Sequence, residues 1–334
     1  MAYTTIDNPE LYIQTKLYTG DGSTDVSHTF DGDEDMQANM IWFKRRSGSA
    51  NHFLYDSVRG ANRSLVPNDT DAEATSGEQT TYLTSFDSDG FTLGDDVNNI
   101  NASNETYVAW AWVESADAGF DIITYSGTGS AKNESHSLSA TPHWILTKCR
   151  STAQSWATHH KSYSATEKVL YLDNTNALAS TDPDWLTAVS SSTISLGGSG
   201  TDANTSGRTY VAYLWSEKQG YSKFGSYTAN GNADGSFVYT GFRPAFLMIK
   251  NISSGSTNWH LYDNKRLGYN VDNNMQRPNL ATADQTDDDL DLLSNGFKIR
   301  RVTSALNTDG DNYVYMAFAE APFVNSNGVP ANAR

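Results

Sequence analysis

The stretch that decides the fold is Asn104-Glu-Thr-Tyr107-Val-Ala-Trp110-Ala-Trp112, because it returns twice. The second copy is Gly207-Arg-Thr-Tyr210-Val-Ala-Tyr213-Leu-Trp215 and the third is Asp311-Asn-Tyr313-Val-Tyr-Met-Ala-Phe318, so the Tyr-Val pair stands at 107, 210 and 313, a step of 103 both times. Each copy follows a polar turn and is rich in β-branched and aromatic residues, which is the signature of a strand. Alternation puts Val108, Trp110 and Trp112 on one side and Tyr107, Ala109 and Ala111 on the other. The large side becomes Val211, Tyr213, Trp215 in copy two and Val314, Met316, Phe318 in copy three. Size is kept while chemistry drifts, as packing against a core allows and a shared catalytic group would not.

Other landmarks keep the same order. Tyr18-Thr-Gly matches Tyr125-Ser-Gly and Tyr227-Thr-Ala; Met40-Ile-Trp-Phe-Lys44 matches Trp144-Ile-Leu-Thr-Lys148 and Phe246-Leu-Met-Ile-Lys250; Phe91-Thr-Leu93 matches Ile194-Ser-Leu196 and Phe297-Lys-Ile299. Ordered landmarks at near-constant spacing mean internal triplication. The expected fold is all-β, three tandem related β-sandwich-like domains of about 100 residues each. An N-terminal arm over 1–16 precedes repeats at 17–117, 118–218 and 219–334. In the first repeat the strand candidates are 16–19, 40–45, 52–55, 82–86, 91–93 and 107–113. Ser88-Asp-Gly90 and Ser294-Asn-Gly296 read as hairpin turns. Asn8-Pro9-Glu10 can open a helical turn, and Pro183-Asp-Trp185-Leu-Thr-Ala can make one or two turns after Thr181 or Asp182.

Composition narrows the function. The 334 residues carry a formal charge of -16, which disfavours nucleic acid and anionic membranes, since both demand clustered Lys and Arg. No window approaches the roughly 20 apolar residues of a membrane span. The start Met1-Ala-Tyr-Thr-Thr-Ile has neither a basic nor an apolar segment, so no signal peptide is expected and synthesis is placed in the cytoplasm. The single cysteine, Cys149, excludes an intrachain disulfide and reads as a buried apolar residue.

A second repeated element carries His and Trp: His52 and Tyr55 in copy one, Trp156, His159 and His160 in copy two, His260 and Tyr262 in copy three. Two readings stand. These residues suit a surface that recognises sugar, with flat rings beside hydrogen-bonding groups. They equally suit a half-buried strand followed by an Asp-to-Arg pair, Asp56 with Arg59 and Asp263 with Arg266, that pins a turn. His159 and His160 are adjacent, so on a strand they point apart and do not chelate a metal together. The acidic loops 31–35, 69–73 and 284–291 suggest calcium, yet none has the spacing of a calcium loop. No nucleophile elbow, zinc-protease motif or phosphate-cradling loop occurs, and the chain reads as non-enzymatic without a cofactor. Leu11, Tyr12 and Ile13 form an apolar edge outside the repeat register, a candidate contact with another chain or a second copy.

The runs Tyr55-Asp-Ser-Val-Arg-Gly60, Thr84-Ser-Phe-Asp-Ser-Asp-Gly-Phe-Thr-Leu-Gly94, Thr106-Tyr-Val-Ala-Trp-Ala-Trp112, Gly220-Tyr-Ser-Lys-Phe-Gly-Ser-Tyr227 and Phe237-Val-Tyr-Thr-Gly-Phe-Arg-Pro244 resemble marine bacteriophage structural proteins of tail-fibre-like type. The resemblance implies a virion protein on the particle exterior, either a receptor-binding tail component or a capsid decoration. Its expected partners are other virion proteins and a host glycan or receptor, in a homo-oligomer such as a trimer. It brings no catalytic or binding residues. The rival class is a secreted carbohydrate-binding module or glycan hydrolase, which a β-sandwich also suits.

Overall fold

A computed structural model describes residues 2–77, 80–94, 99–163, 165–166, 168–179, 185–198, 202–266, 270, 273–287 and 289–330. The chain is all-β: every described element is a strand apart from one 3₁₀ turn at Pro9–Leu11, whose Asn8 side chain accepts from the Glu10 amide at 3.1 Å. Of the helical turn expected over 183–188, residues 183 and 184 lie outside the described residues, and the described remainder is not helical, Ala188 opening the strand Ala188–Val189.

Each repeat builds one larger inner sheet and one smaller outer sheet, all antiparallel. The inner sheet of repeat one runs in the order Ile13–Thr19, Thr106–Trp112, Met40–Arg45, Phe53–Asp56. Repeat two repeats it as Phe120–Ser126, Thr209–Trp215, Trp144–Cys149, Ala157–His160, with Leu170–Tyr171 added at the edge. Repeat three does so as Ser222–Thr228, Asn312–Pro322, Phe242–Asn251, His260–Asp263. The outer sheets are Val26–His28, Gly90–Leu93, Leu83–Asp87; then Lys132–Ser135, Thr193–Leu196, Ala188–Val189; then Phe237–Tyr239, Gly296–Ile299, Leu290–Leu293.

The repeated tyrosine occupies one place in all three. Tyr107, Tyr210 and Tyr313 pair with Tyr18, Tyr125 and Tyr227 and stack on them at 5.1, 5.3 and 5.0 Å between centroids. Each hydroxyl accepts the amide five residues upstream, Ala102, Thr205 and Thr308, at 2.9, 3.0 and 2.9 Å. A buried hydroxyl with such a partner carries no desolvation debt and fixes the turn into the strand. In the two expected hairpins the glycine is needed for close approach: a Cβ at Gly90 would lie 1.9 Å from the His28 carbonyl oxygen, and one at Gly296 2.1 Å from that of Val238. Only Gly90 also has positive φ, at 113°.

Both faces of every inner sheet are buried. Tyr107, Ala109 and Ala111 pack against the outer sheet of their own repeat, as do Tyr210, Ala212, Leu214 and Tyr313, Tyr315, Ala317 in theirs. The opposite faces meet in a single central cluster to which all three repeats contribute, including Trp42, Trp110, Trp112, Trp144, Trp215, Phe246 and Phe318. Each repeat therefore has a core of its own, and the three share a fourth. The large face of each sheet has no second layer within its repeat, and burial of that face requires the other two.

The N-terminal arm is also revised. The first inner strand starts at Ile13 and pairs with Trp112, so residues 13–16 lie inside the repeat register. Ile13 is buried in the central cluster, Tyr12 is half-buried with its ring edge-on to Tyr221 at 6.0 Å, and Leu11 alone of the three is exposed. Of the apolar edge proposed as an assembly contact, Ile13 and much of Tyr12 are thus used within the chain, and Leu11 is left at the surface. Ahead of it, Ile6 enters the central cluster and Tyr3 donates to the Gly241 carbonyl at 2.8 Å, which fastens the start of the chain to repeat three.

Candidate functional site

The sugar-surface reading of His52, Tyr55, Trp156, His159, His160, His260 and Tyr262 is overturned: every one of them is buried. They sit on, or in the case of His52 and Trp156 immediately before, the fourth inner strand of each repeat, and that strand has no solvent face because the central cluster and the outer sheet cover both sides. Registers show which positions correspond: His52, Trp156 and Trp259; Tyr55, His159 and Tyr262; Asp56, His160 and Asp263.

The first set makes the joints between repeats. The His52 Nδ1 accepts from Trp42 Nε1 at 2.9 Å, so its proton is on Nε2, which donates to the Arg277 carbonyl of repeat three at 3.1 Å. Trp156 donates to the Val66 carbonyl of repeat one at 2.9 Å, and Trp259 to the Tyr171 carbonyl of repeat two at 3.0 Å. Each repeat thus takes hold of a loop from the one before it, and the first takes hold of the last. The ring is closed.

The third set reaches across in the opposite sense. Asp56 accepts from Tyr213 of repeat two at 2.6 Å, and Asp263 accepts from Trp110 of repeat one at 2.9 Å. At the corresponding place in repeat three stands Met316, which cannot donate, and the residue facing it is His160, whose Nε2 donates to the Tyr315 carbonyl at 3.3 Å. The arginine three residues after each aspartate follows the same logic. Arg59 and Arg266 bond Asp56 and Asp263 at 2.5 and 2.6 Å, whereas His160 is followed by Tyr163. A buried carboxylate needs a cation and donors, while a neutral histidine does not.

The acidic loops are engaged in these joints. Glu73 lies between Arg59 and Arg150, and Asp284 between Arg266 and Arg46. Burial alone would raise the Glu73 pKa, but its hydrogen bonds and charge pairing with Arg150 and Arg59 hold it below the usual value. Among the described residues no group of three His, Cys, Asp or Glu is placed to hold a metal ion. Lys44, Lys148 and Lys250, at matching places in the inner sheets, are wholly buried, and burial lowers their pKa values to about 7, 8 and 8. Each ammonium bonds at least one backbone carbonyl; Lys44 reaches Ala281 of repeat three at 3.5 Å and Lys148 reaches Thr70 of repeat one at 3.0 Å, whereas Lys250 bonds Thr257 of its own repeat at 2.8 Å.

Side chains in reach of solvent lie elsewhere, among them those at the corners where consecutive repeats meet. Three corresponding corners are each built on a glutamate seven residues after the repeated tyrosine: Glu114, Glu217 and Glu320. Its neighbours differ. The first corner sets Asp121 and Ser57 beside Glu114; the second, Lys223 and Lys161 beside Glu217; the third, Gln14 and Asn264 near Glu320. The second opens into a cleft of about 550 Å³ walled by Tyr3, Tyr239 and the two lysines, while the third encloses about 60 Å³. In the first, burial and then the adjacent Asp121 carboxylate, which accepts from the protonated form, push the Glu114 carboxyl up to about 7. Sequence reading passed over this glutamate because one acid in a chain with 39 acids has no pattern of its own. Its constant offset from Tyr107, Tyr210 and Tyr313 was the available signal.

One family profile, described as a domain of unknown function (DUF7483), matches residues 8–322. No curated protein matches the chain.

Proposed function

The chain belongs to the DUF7483 family, and we propose that it is a non-enzymatic structural protein carried on the exterior of a bacteriophage particle. The observation that carries this reading is the closed ring. Histidines, lysines, arginines and acids that could serve chemistry are instead committed to joints between repeats. Such a body buries its reactive side chains in paired form, which suits a part exposed to solvent outside a cell. The sequence runs that resemble phage structural proteins supply the location. Contact with other virion proteins, and with a host glycan or receptor, would use exposed surface such as the outer sheets and corners.

The test is to purify particles, identify their proteins by mass spectrometry and label them with gold-tagged antibody against the chain. Gold at the tail tip assigns receptor binding and gold over the head assigns decoration. If the chain stays in the supernatant when particles sediment, the reading is wrong. The rival is a secreted carbohydrate-binding module or glycan hydrolase. Exposed rings on the outer sheet of repeat three, Phe237 and Tyr239, favour its binding half. For hydrolysis, the Glu114 and Asp121 carboxyls accept from one amide, that of Ile122, at 3.3 and 3.0 Å, so a backbone group lies where a glycosidase pair would flank a sugar.

A further inference from the structure

We propose that the cleft over Glu217, between repeats two and three, binds an acidic saccharide, with the carboxylate between Lys161 and Lys223 and a sugar face against Tyr239. This goes beyond the structural role and holds whether or not the chain rides on a particle.

The three repeats act as controls for one another. At the second position of the first inner strand stand Gln14, Asp121 and Lys223, opposite Ala111, Leu214 and Ala317. After the last inner strand stand Ser57, Asn264 and Lys161, whose amides all bond the same carbonyl position, Asn39, Ala245 and His143. The scaffold accepts a neutral or acidic residue at both places, so neither lysine is required by the fold. Both nevertheless occur at one corner, in a chain whose formal charge is -16. Local cation excess on an acidic protein is where an anion is focused.

The lysines are also available. Their side chains are 33% and 35% exposed, and both pair with the Glu217 carboxylate, Lys223 at 2.9 Å. An ammonium has three donors, and Glu217 takes one from each. The carboxylate fixes the two heads side by side, and both line the cleft with donors to spare. By contrast, Gln14 at the third corner is consumed by Glu10, Glu34 and Gly32, and Asp121 at the first by Ile122 and Ser137.

The wall next to the lysines is aromatic for a comparable reason. On the first strand of each outer sheet the exposed alternate residues are Ser27 and Thr29, Asn133 and Ser135, and Phe237 and Tyr239. Only the third copy exposes rings, and Tyr239 lines the cleft. Tyr3 completes the wall, its hydroxyl 3.2 Å from that of Tyr239, and it fits because Gly241 has no side chain: a Cβ there would lie 2.6 Å from the Tyr3 hydroxyl. A ring face, hydroxyls and paired cations in a cleft of about 550 Å³ match a sugar bearing a carboxylate, and the volume is ordinary for a small-ligand site.

The experiment is calorimetric titration of the full chain with trigalacturonate, galacturonate, neutral trigalactoside and inorganic phosphate. The variants are Lys223→Asp and Tyr239→Ser, each placing at an exposed position the residue that repeat two carries there, with thermal melting as a check on folding. The expected result is saturable binding of the acidic sugar that weakens as salt rises. Lys223→Asp should weaken it by about tenfold or more and Tyr239→Ser by about three- to tenfold, on the strength of a charge-assisted contact and a ring contact. The neutral trisaccharide should bind far more weakly. Equal affinity of monomer and trimer assigns a free sugar acid, and a stronger trimer assigns a polysaccharide; both uphold the site. Absence of saturation by about 10 mM, a weak site by any standard, overturns it. So does unchanged affinity in Lys223→Asp, or phosphate binding as tightly as the sugar.

Discussion

Glu73 of repeat one and Arg150 of repeat two meet in a two-pronged ion pair, Nε to Oε2 and Nη2 to Oε1 both at 2.9 Å, while the Glu73 amide donates to the Arg150 carbonyl at 2.9 Å. The backbone bond recurs from Asp284 to Arg46 at 2.8 Å and from Leu178 to Ile252 at 3.2 Å. Two joints carry an acid and an arginine, and the third carries two aliphatic residues. Both solutions satisfy the rule that a buried charge is either paired or absent.

That rule sets the first expectation. Glu73→Leu leaves the wholly buried Arg59 with Asp56 as its one remaining carboxylate, and should cost about 3 kcal/mol. Arg150→Ile leaves Glu73 still paired with Arg59 and should cost about 1 kcal/mol. Urea unfolding of the two variants measures both, and an equal cost would show that Arg59 does not depend on Glu73.

Tyr213→Phe removes one donor from the buried Asp56 carboxylate without leaving a cavity. It should destabilise by about 1–3 kcal/mol, whereas Met316→Leu at the matching place in repeat three should change stability by less than about 1.5 kcal/mol. Chemical denaturation distinguishes them, and a neutral Tyr213→Phe would mean that the bond from repeat two to repeat one contributes nothing.

Acid should unfold the chain through its buried histidines. Burial lowers His159 to about 4 and His160 and His260 to about 3 from 6.5, with His52 also held well below it. A depressed pKa means stability that is fully present above 6.5 and is lost as pH falls toward the folded value. At pH 4.5, some two units below 6.5, His160 alone would withdraw about 2–3 kcal/mol. Melting temperature should drop steeply as pH falls below 6.5, and His160→Gln should reduce the slope. A flat profile down to pH 4.5 would contradict it.

Glu114 has the opposite sign. Its carboxyl is raised from 4.5 to about 7, so the stability it contributes is present below 4.5 and is lost as pH rises through 7. Glu114→Gln should raise the melting temperature at pH 8 and leave it unchanged at pH 5. A pH-independent difference would place the carboxyl outside any coupling to Asp121.

Much of the inner sheet was legible in the sequence. Met40–Arg45 runs between the expected limits, and Tyr107, Tyr210 and Tyr313 share one place, because periodicity and local turn chemistry set both. What the alternation left open was the destination of the large face. Trp110 and Trp112 look the same in sequence whether they meet a sheet of their own repeat or those of two others. The reading of His159 and Tyr262 as a surface failed on this point, since it assumed one wet face. Lys44, Lys148 and Lys250 were in view as landmarks, yet a lysine at a fixed place within three apolar strands was itself a sign of a buried joint. The lysines at the second corner needed the register to be compared at all.

Ring closure also has a cost in time. Arg46 pairs with Asp284, 238 residues later, and Trp110 with Asp263, 153 residues later. At about 5–20 residues per second of synthesis, Arg46 leaves the ribosome roughly ten to fifty seconds before its partner exists. During that interval the emerging first repeat displays the apolar face of its inner sheet, Trp42, Trp110 and Trp112 included, with nothing to cover it. The nascent chain is therefore a substrate for chaperones, and for premature association with neighbours on the same message, until its last hundred or so residues arrive.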